Sequence, residues 1–62
     1  MTVYDLTYLF VEDYQEVAIY GLDSGKVLYK GTIYDMDDKY NGLEIMSIDC
    51  IENNLITINV EM

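Results

Sequence analysis

The chain has 62 residues, with 12 aspartates and glutamates against 3 lysines, no histidine and one cysteine, for a formal charge of −9. This length holds one domain, spanning 1–62, with a thin core. The single thiol excludes an intramolecular disulfide, and the lack of histidine argues against a structural zinc site. A field this negative repels phosphates and anionic lipid, so direct nucleic-acid binding and membrane binding are discounted and a basic protein partner is favoured.

The apolar fraction of 52% is that of a folded protein. The first segment, MTVYDLTYLFVED, lacks the basic region of a secretory signal. No stretch approaches the roughly 18 apolar residues of a membrane span. A cytoplasmic protein is expected. Thr2 stands where a helix cap would, and Asp5 follows at capping-box spacing with Asp in place of the usual Glu. Val3, Leu6, Leu9 and Phe10 recur at steps of three and four, which predicts a helix over 3–10. A strand is the competing reading, because Val3, Tyr4, Thr7, Tyr8, Phe10 and Val11 all suit one.

The period then changes. QEVAIYG and KVLYKGTIY flank LDSG and predict a β-hairpin. A loop of Asp23, Ser24 and Gly25, with Gly25 left-handed, pairs Ile19 with Tyr29 and Val17 with Gly31. Val17, Ile19, Val27, Tyr29 and Ile33 then share one face. A shorter Ser24-Gly25 loop would set Ile19 against Lys30 and mix core with solvent. Gly31 is expected to make room for a neighbour across the hairpin.

Between the hairpins lies YDMDDKYNG, residues 34–42, with the densest oxygen chemistry of the chain. A calcium loop needs oxygen ligands at its first, third and fifth positions, glycine at the sixth and glutamate at the twelfth. Counting from Asp35 puts Lys39 fifth and Tyr40 sixth; counting from Asp37 puts Lys39 third and Ile48 twelfth. Neither frame fits. A short helix accounts for more of the residues, with Asp35 as N-cap, Asp37 and Asp38 in the first turn and Asn41-Gly42 as the stop. A weak contact of the carboxylates with Mg or Ca stays open.

LEIMSIDCI and LITINVEM flank ENN and predict a second hairpin. A Glu52-Asn53-Asn54 loop, with Asn54 at positive φ, pairs Cys50 with Ile56, Ile48 with Ile58 and Met46 with Val60 on one face. Asp49 with Thr57 and Ser47 with Asn59 fall on the wet face. The expected architecture is α+β, an N-terminal helix packed on a four-stranded antiparallel sheet made of the two hairpins, with a short helix between them. If residues 3–11 are a strand, the alternative is a five-stranded SH3-like small barrel.

Catalysis has little material. There is no histidine, Cys50 is expected on the core face as an inert thiol, and Gly21, Gly25, Gly31 and Gly42 are too scattered to cradle a phosphate. Paired carboxylates could converge, but one layer over a sheet offers no obvious cavity, so no enzyme, cofactor or metal is expected. Among the seven tyrosines, Tyr29 falls on the core face. Tyr20 and Tyr34, with Leu28 and Ala18, fall on the outer face of the first hairpin among acidic residues. Tyr20, Leu28, Tyr34, Asp35, Asp37 and Asp38 therefore form the expected interaction surface, with an aromatic centre and an acidic rim.

The order T-V-x-D-L, Q-E-V-x-I-Y, L-x-S-G-x-V-L-Y-x-G, S-I-D and L-I-T-I-N-V resembles very short acidic proteins of gut Firmicutes and their phages or mobile elements. That resemblance runs from Thr2 to Val60 and implies a small helix-plus-sheet accessory protein, with no catalytic residue carried over. The leading expectation is a non-enzymatic module that binds a basic partner, with nucleic-acid mimicry as one mode. The alternative is a structural homo-oligomer joined through the Tyr20, Leu28, Tyr34 face or a sheet edge.

Overall fold

The computed structural model describes residues 1–9, 12–52 and 54–62. The chain forms helix α1 (Val3–Leu9) and strands β1 (Glu16–Gly21), β2 (Lys26–Thr32), β3 (Ile45–Glu52) and β4 (Leu55–Val60), with one 3₁₀ turn, Asp38–Tyr40, in the crossover from β2 to β3. The fold is α+β. Since residues 3–9 are helical, the barrel alternative is set aside.

The sheet order is β2-β1-β4-β3. Each hairpin is antiparallel, but the hairpins join through β1 and β4, which run parallel. The sheet is thus mixed, which corrects the expectation of an antiparallel one. Charge explains the order. β4 (LITINV) has no charged residue and β1 only Glu16, so these two take the interior. Lys26 and Lys30 on β2, and Asp49 on β3, stay hydrated at the edges, where charges also discourage pairing with other chains.

The capping box forms as expected. The Asp5 amide donates to Thr2 Oγ1 at 3.3 Å and the Thr2 amide to Asp5 Oδ2 at 3.1 Å. The next free amides, of Val3 and Tyr4, donate to the carbonyls of Leu43 and Asn41 at 2.9 and 3.1 Å, which ties the helix start to the crossover. Thr2→Ala is expected to cost about 1 kcal/mol. The check is a thermal melt, with the midpoint lower by about 4–8 °C. Val3 and Leu6 are buried against the sheet, and Thr7 Oγ1 returns its bond to the Val3 carbonyl at 2.9 Å. Phe10 and Val11, and the burial of the Leu9 side chain, lie outside the described residues.

In the first hairpin, Ile19 pairs with Tyr29 and Val17 with Gly31, as the alternation predicts. Gly25 is left-handed at φ 68°. The space over Gly31 is filled by the Tyr29 hydroxyl, 2.7 Å from where a Cβ would stand. Nearer the turn the register shifts between Ile19 and Tyr20, so Gly21 pairs with Lys26 and the loop holds Leu22, Asp23, Ser24 and Gly25. This bulge reverses the alternation of β2. Val27 turns outward, 58% exposed, and Leu28 packs against the core instead.

The second hairpin repeats the pattern. Ile48 pairs with Ile58, Asp49 with Thr57 and Ser47 with Asn59, and Asn54 takes φ 62°. Shifts flank this stretch, so Ile45 rather than Met46 meets Val60, and Glu52 meets Leu55. Asn53, expected in this turn, lies outside the described residues. Met46 is exposed, and so is Cys50, contrary to its expected place in the core. Cys50 falls where the register shifts on an edge strand, away from the buried centre. That centre is Val3, Leu6, Val17, Ile19, Ile58 and Val60, with Met36, Tyr40, Leu43 and other half-buried residues at its margin. On the opposite face the amide of buried Asn59 donates to Ser47 Oγ and Asp49 Oδ2, both at 2.9 Å.

Candidate functional site

The six residues of the expected surface do not come together. Tyr20 is half-buried on the outer sheet face, directly opposite exposed Val27. Leu28 is turned inward by the bulge. Tyr34 leaves the sheet altogether: it stacks on Tyr14 with ring centroids 5.9 Å apart and planes at 22°. Its position is fastened from the backbone, where its amide donates to the Asp13 carbonyl at 2.8 Å and that of Ile33 to Gln15 at 3.2 Å.

The three aspartates of YDMDDKYNG separate into different tasks. Thr32 Oγ1 both donates to Asp35 Oδ2 and accepts from the Asp35 amide, each at 3.4 Å, which closes the turn after β2. Asp37, rather than Asp35, is the N-cap, its Oδ1 accepting from the Lys39 amide at 2.8 Å. The helical stretch is only the 3₁₀ turn Asp38–Tyr40, stopped at Asn41. Asp38 lines a groove. Among the described residues, no three acidic, cysteine or histidine side chains lie close enough to share a metal ion.

That groove runs between α1 and the crossover. Tyr4, Thr7 and Tyr8 form one wall, Asp13, Asp38 and Asn41 contribute polar atoms, and Ile33 and Met36 supply apolar surface. Tyr4 and Tyr8, one helical turn apart, stack with centroids 5.3 Å apart and planes at 10°. Exposure decides what these rings do: Tyr4 is 48% exposed, Tyr8 72%, Tyr14 79% and Tyr34 68%, so packing the core does not account for them. Tyr29 and Tyr40 are different. They meet at 5.7 Å beside the core, with their hydroxyls donating to the carbonyls of Thr32 and Leu28. Burial, with the nearby Asp35 charge and Tyr40, pushes the Tyr29 hydroxyl above its ordinary value.

Spacing already held half of this arrangement. With Val3 and Leu6 inward, Tyr4 and Tyr8 must share the outer face of the helix. The Tyr14 and Tyr34 pair continues the register of the first hairpin: two steps beyond Glu16 with Thr32, Tyr14 falls opposite Tyr34. Asp13 enters the site by the same route.

Charge is distributed unevenly over these surfaces. Every aspartate is exposed, as are Glu12, Glu16, Glu44 and Glu61. Lys26 and Lys30 lie on β2, and Lys39 sits 5.2 Å over the Tyr40 ring. No lysine lines the tyrosine groove. A second, more apolar depression between Leu28, Tyr40, Leu43 and Met62 has Lys39 at its rim. The tyrosine groove encloses about 170 Å³, below the roughly 300–1,000 Å³ of small-molecule pockets. It has room for about one side chain. No helix among the described residues is long and apolar enough to cross a membrane. In comparisons with protein-family models, curated proteins and solved structures, nothing matches this chain.

Proposed function

We propose that this chain is a small non-enzymatic protein-binding module whose acidic surface engages a basic protein partner in the cytoplasm. The observation that carries the reading is the segregation of its surface: exposed tyrosines meet Asp13 and Asp38 in a groove without lysine, while all three lysines lie on β2 and the 3₁₀ turn. Long-range attraction brings a basic surface in, and falls off over roughly 8–10 Å in physiological salt. Rigid aromatic faces then supply contact area, since tyrosine combines an apolar body with a polar tip. Carboxylates spread over so small a body stand in for phosphates, so the favoured partner is one that ordinarily grips nucleic acid. The resemblance to accessory proteins of phages and mobile elements fits that role.

The experiment is competition. The chain is titrated into complexes of basic DNA-binding proteins with a fluorescent duplex, at 50 and 200 mM salt. Displacement at low salt that weakens steeply at high salt is the expected result. Failure to displace the duplex from any member of a broad panel would remove the mimicry reading.

A further inference from the structure

We infer that the groove between α1 and the crossover reads an arginine side chain of the partner. The inference rests on the protein-binding reading and names the group that would enter it. Asp13 and Asp38 favour a cation, and the same carboxylates oppose a phosphate or carboxylate ligand. The aromatic wall narrows the cation further. Guanidinium is planar, weakly hydrated and stacks on rings while its edge donates paired bonds to carboxylates; ammonium is compact and holds its water. Ile33 and Met36 offer apolar surface to the methylene stem, which long cationic side chains bury while their heads stay polar.

Two features make the site ready for such a guest. The Tyr4 and Tyr8 rings are already stacked, so one rigid wall exists before binding and less side-chain freedom is lost on contact. The other side is held by backbone bonds: Tyr34 to Asp13, and Tyr4 to Asn41 at 3.1 Å. The two walls are therefore tied to each other, and the width of the groove is set by the fold.

The test compares nona-arginine with nona-lysine, which carry the same charge, followed through backbone amide and tyrosine ring shifts at low salt. The expected result is tighter binding of nona-arginine by about fivefold, with the largest shifts at Tyr8, Asp13, Ile33 and Asp38. The double variant Asp13→Asn with Asp38→Asn should lose about tenfold of that affinity. Asp23→Asn with Glu61→Gln removes the same charge elsewhere and should lose about twofold or less. Unchanged circular dichroism verifies that both variants fold. Equal affinity for the two peptides, or equal loss in the two double variants, would overturn the arginine site while leaving a generally acidic docking surface intact. Absence of binding by either peptide would overturn both readings.

Discussion

Ile58→Ala is expected to lower the thermal midpoint by roughly 10–40 °C, enough to leave much of the protein unfolded at 37 °C. Ile58 is 0% exposed and sits beside Ile19 at the centre of the sheet, under Val3 and Leu6. Truncating such a side chain removes its transfer energy and leaves a cavity, at about 2–5 kcal/mol. A domain of this size has about 3–9 kcal/mol of stability in total. One side chain is thus a large share of the whole, and each kcal/mol shifts the midpoint by about 4–8 °C. Ile48 supplies the internal contrast. It lies directly across the ladder from Ile58 on the same face, yet is 43% exposed because β3 is an edge strand. Ile48→Ala should cost about 1 kcal/mol or less. Similar losses for the two variants, measured by calorimetry, would contradict the placement of the core under β1 and β4.

Gly21→Ala is expected to destabilise by about 1–2 kcal/mol even though alanine suits a strand better. In an unobstructed site the change would gain about 0.4–1 kcal/mol by stiffening the unfolded chain. At Gly21 the added Cβ would stand 2.6 Å from Ser24 Oγ and 2.8 Å from the Met62 carbonyl oxygen. The serine hydroxyl can rotate away, but the carbonyl has less freedom. It accepts from the Ser24 amide at 2.8 Å, and the Met62 amide donates to Val60 at 2.9 Å. Moving it loosens the contact that locks residues 60–62 over the first turn. Removing Met62 tests this cause, since Gly21→Ala should cost less in the shortened chain than in the full one. An equal penalty in both backgrounds would place the strain elsewhere.

Much of the local structure was legible in the residues. The Thr2 and Asp5 cap, the positive φ at Gly25 and Asn54, and the pairs Ile19 with Tyr29 and Ile48 with Ile58 all follow from spacing and turn chemistry. What escaped was the single-residue shift. A bulge preserves composition and alternation on either side of itself, so nothing in KVLYKG announces that Val27 and Leu28 exchange faces. The joining of the hairpins was legible only in part. Two one-sided hairpins can meet along either pair of strands, and counting charges per strand would have favoured β1 beside β4. The tyrosine groove depends on how α1 meets the crossover, through the Val3 amide to Leu43 and the Tyr4 amide to Asn41, contacts between distant segments that no local pattern encodes. Of the six residues of the expected surface, Asp38 alone lines that groove.

The parallel pair at the middle of the sheet also governs the order in which the molecule can be built. Glu16 to Gly21 align with Leu55 to Val60, so the innermost ladder joins segments from opposite ends of the sequence. A first hairpin formed by itself has the inner edge of β1 unpaired and Val17 and Ile19 lacking their neighbours on β4. It must wait for β4 before those groups are satisfied. Helix and hairpins can form early from nearby residues, but closing the large loop between β1 and β4 comes at an entropic cost that local contacts do not offset. Chains truncated before residue 55 should therefore remain open to protease.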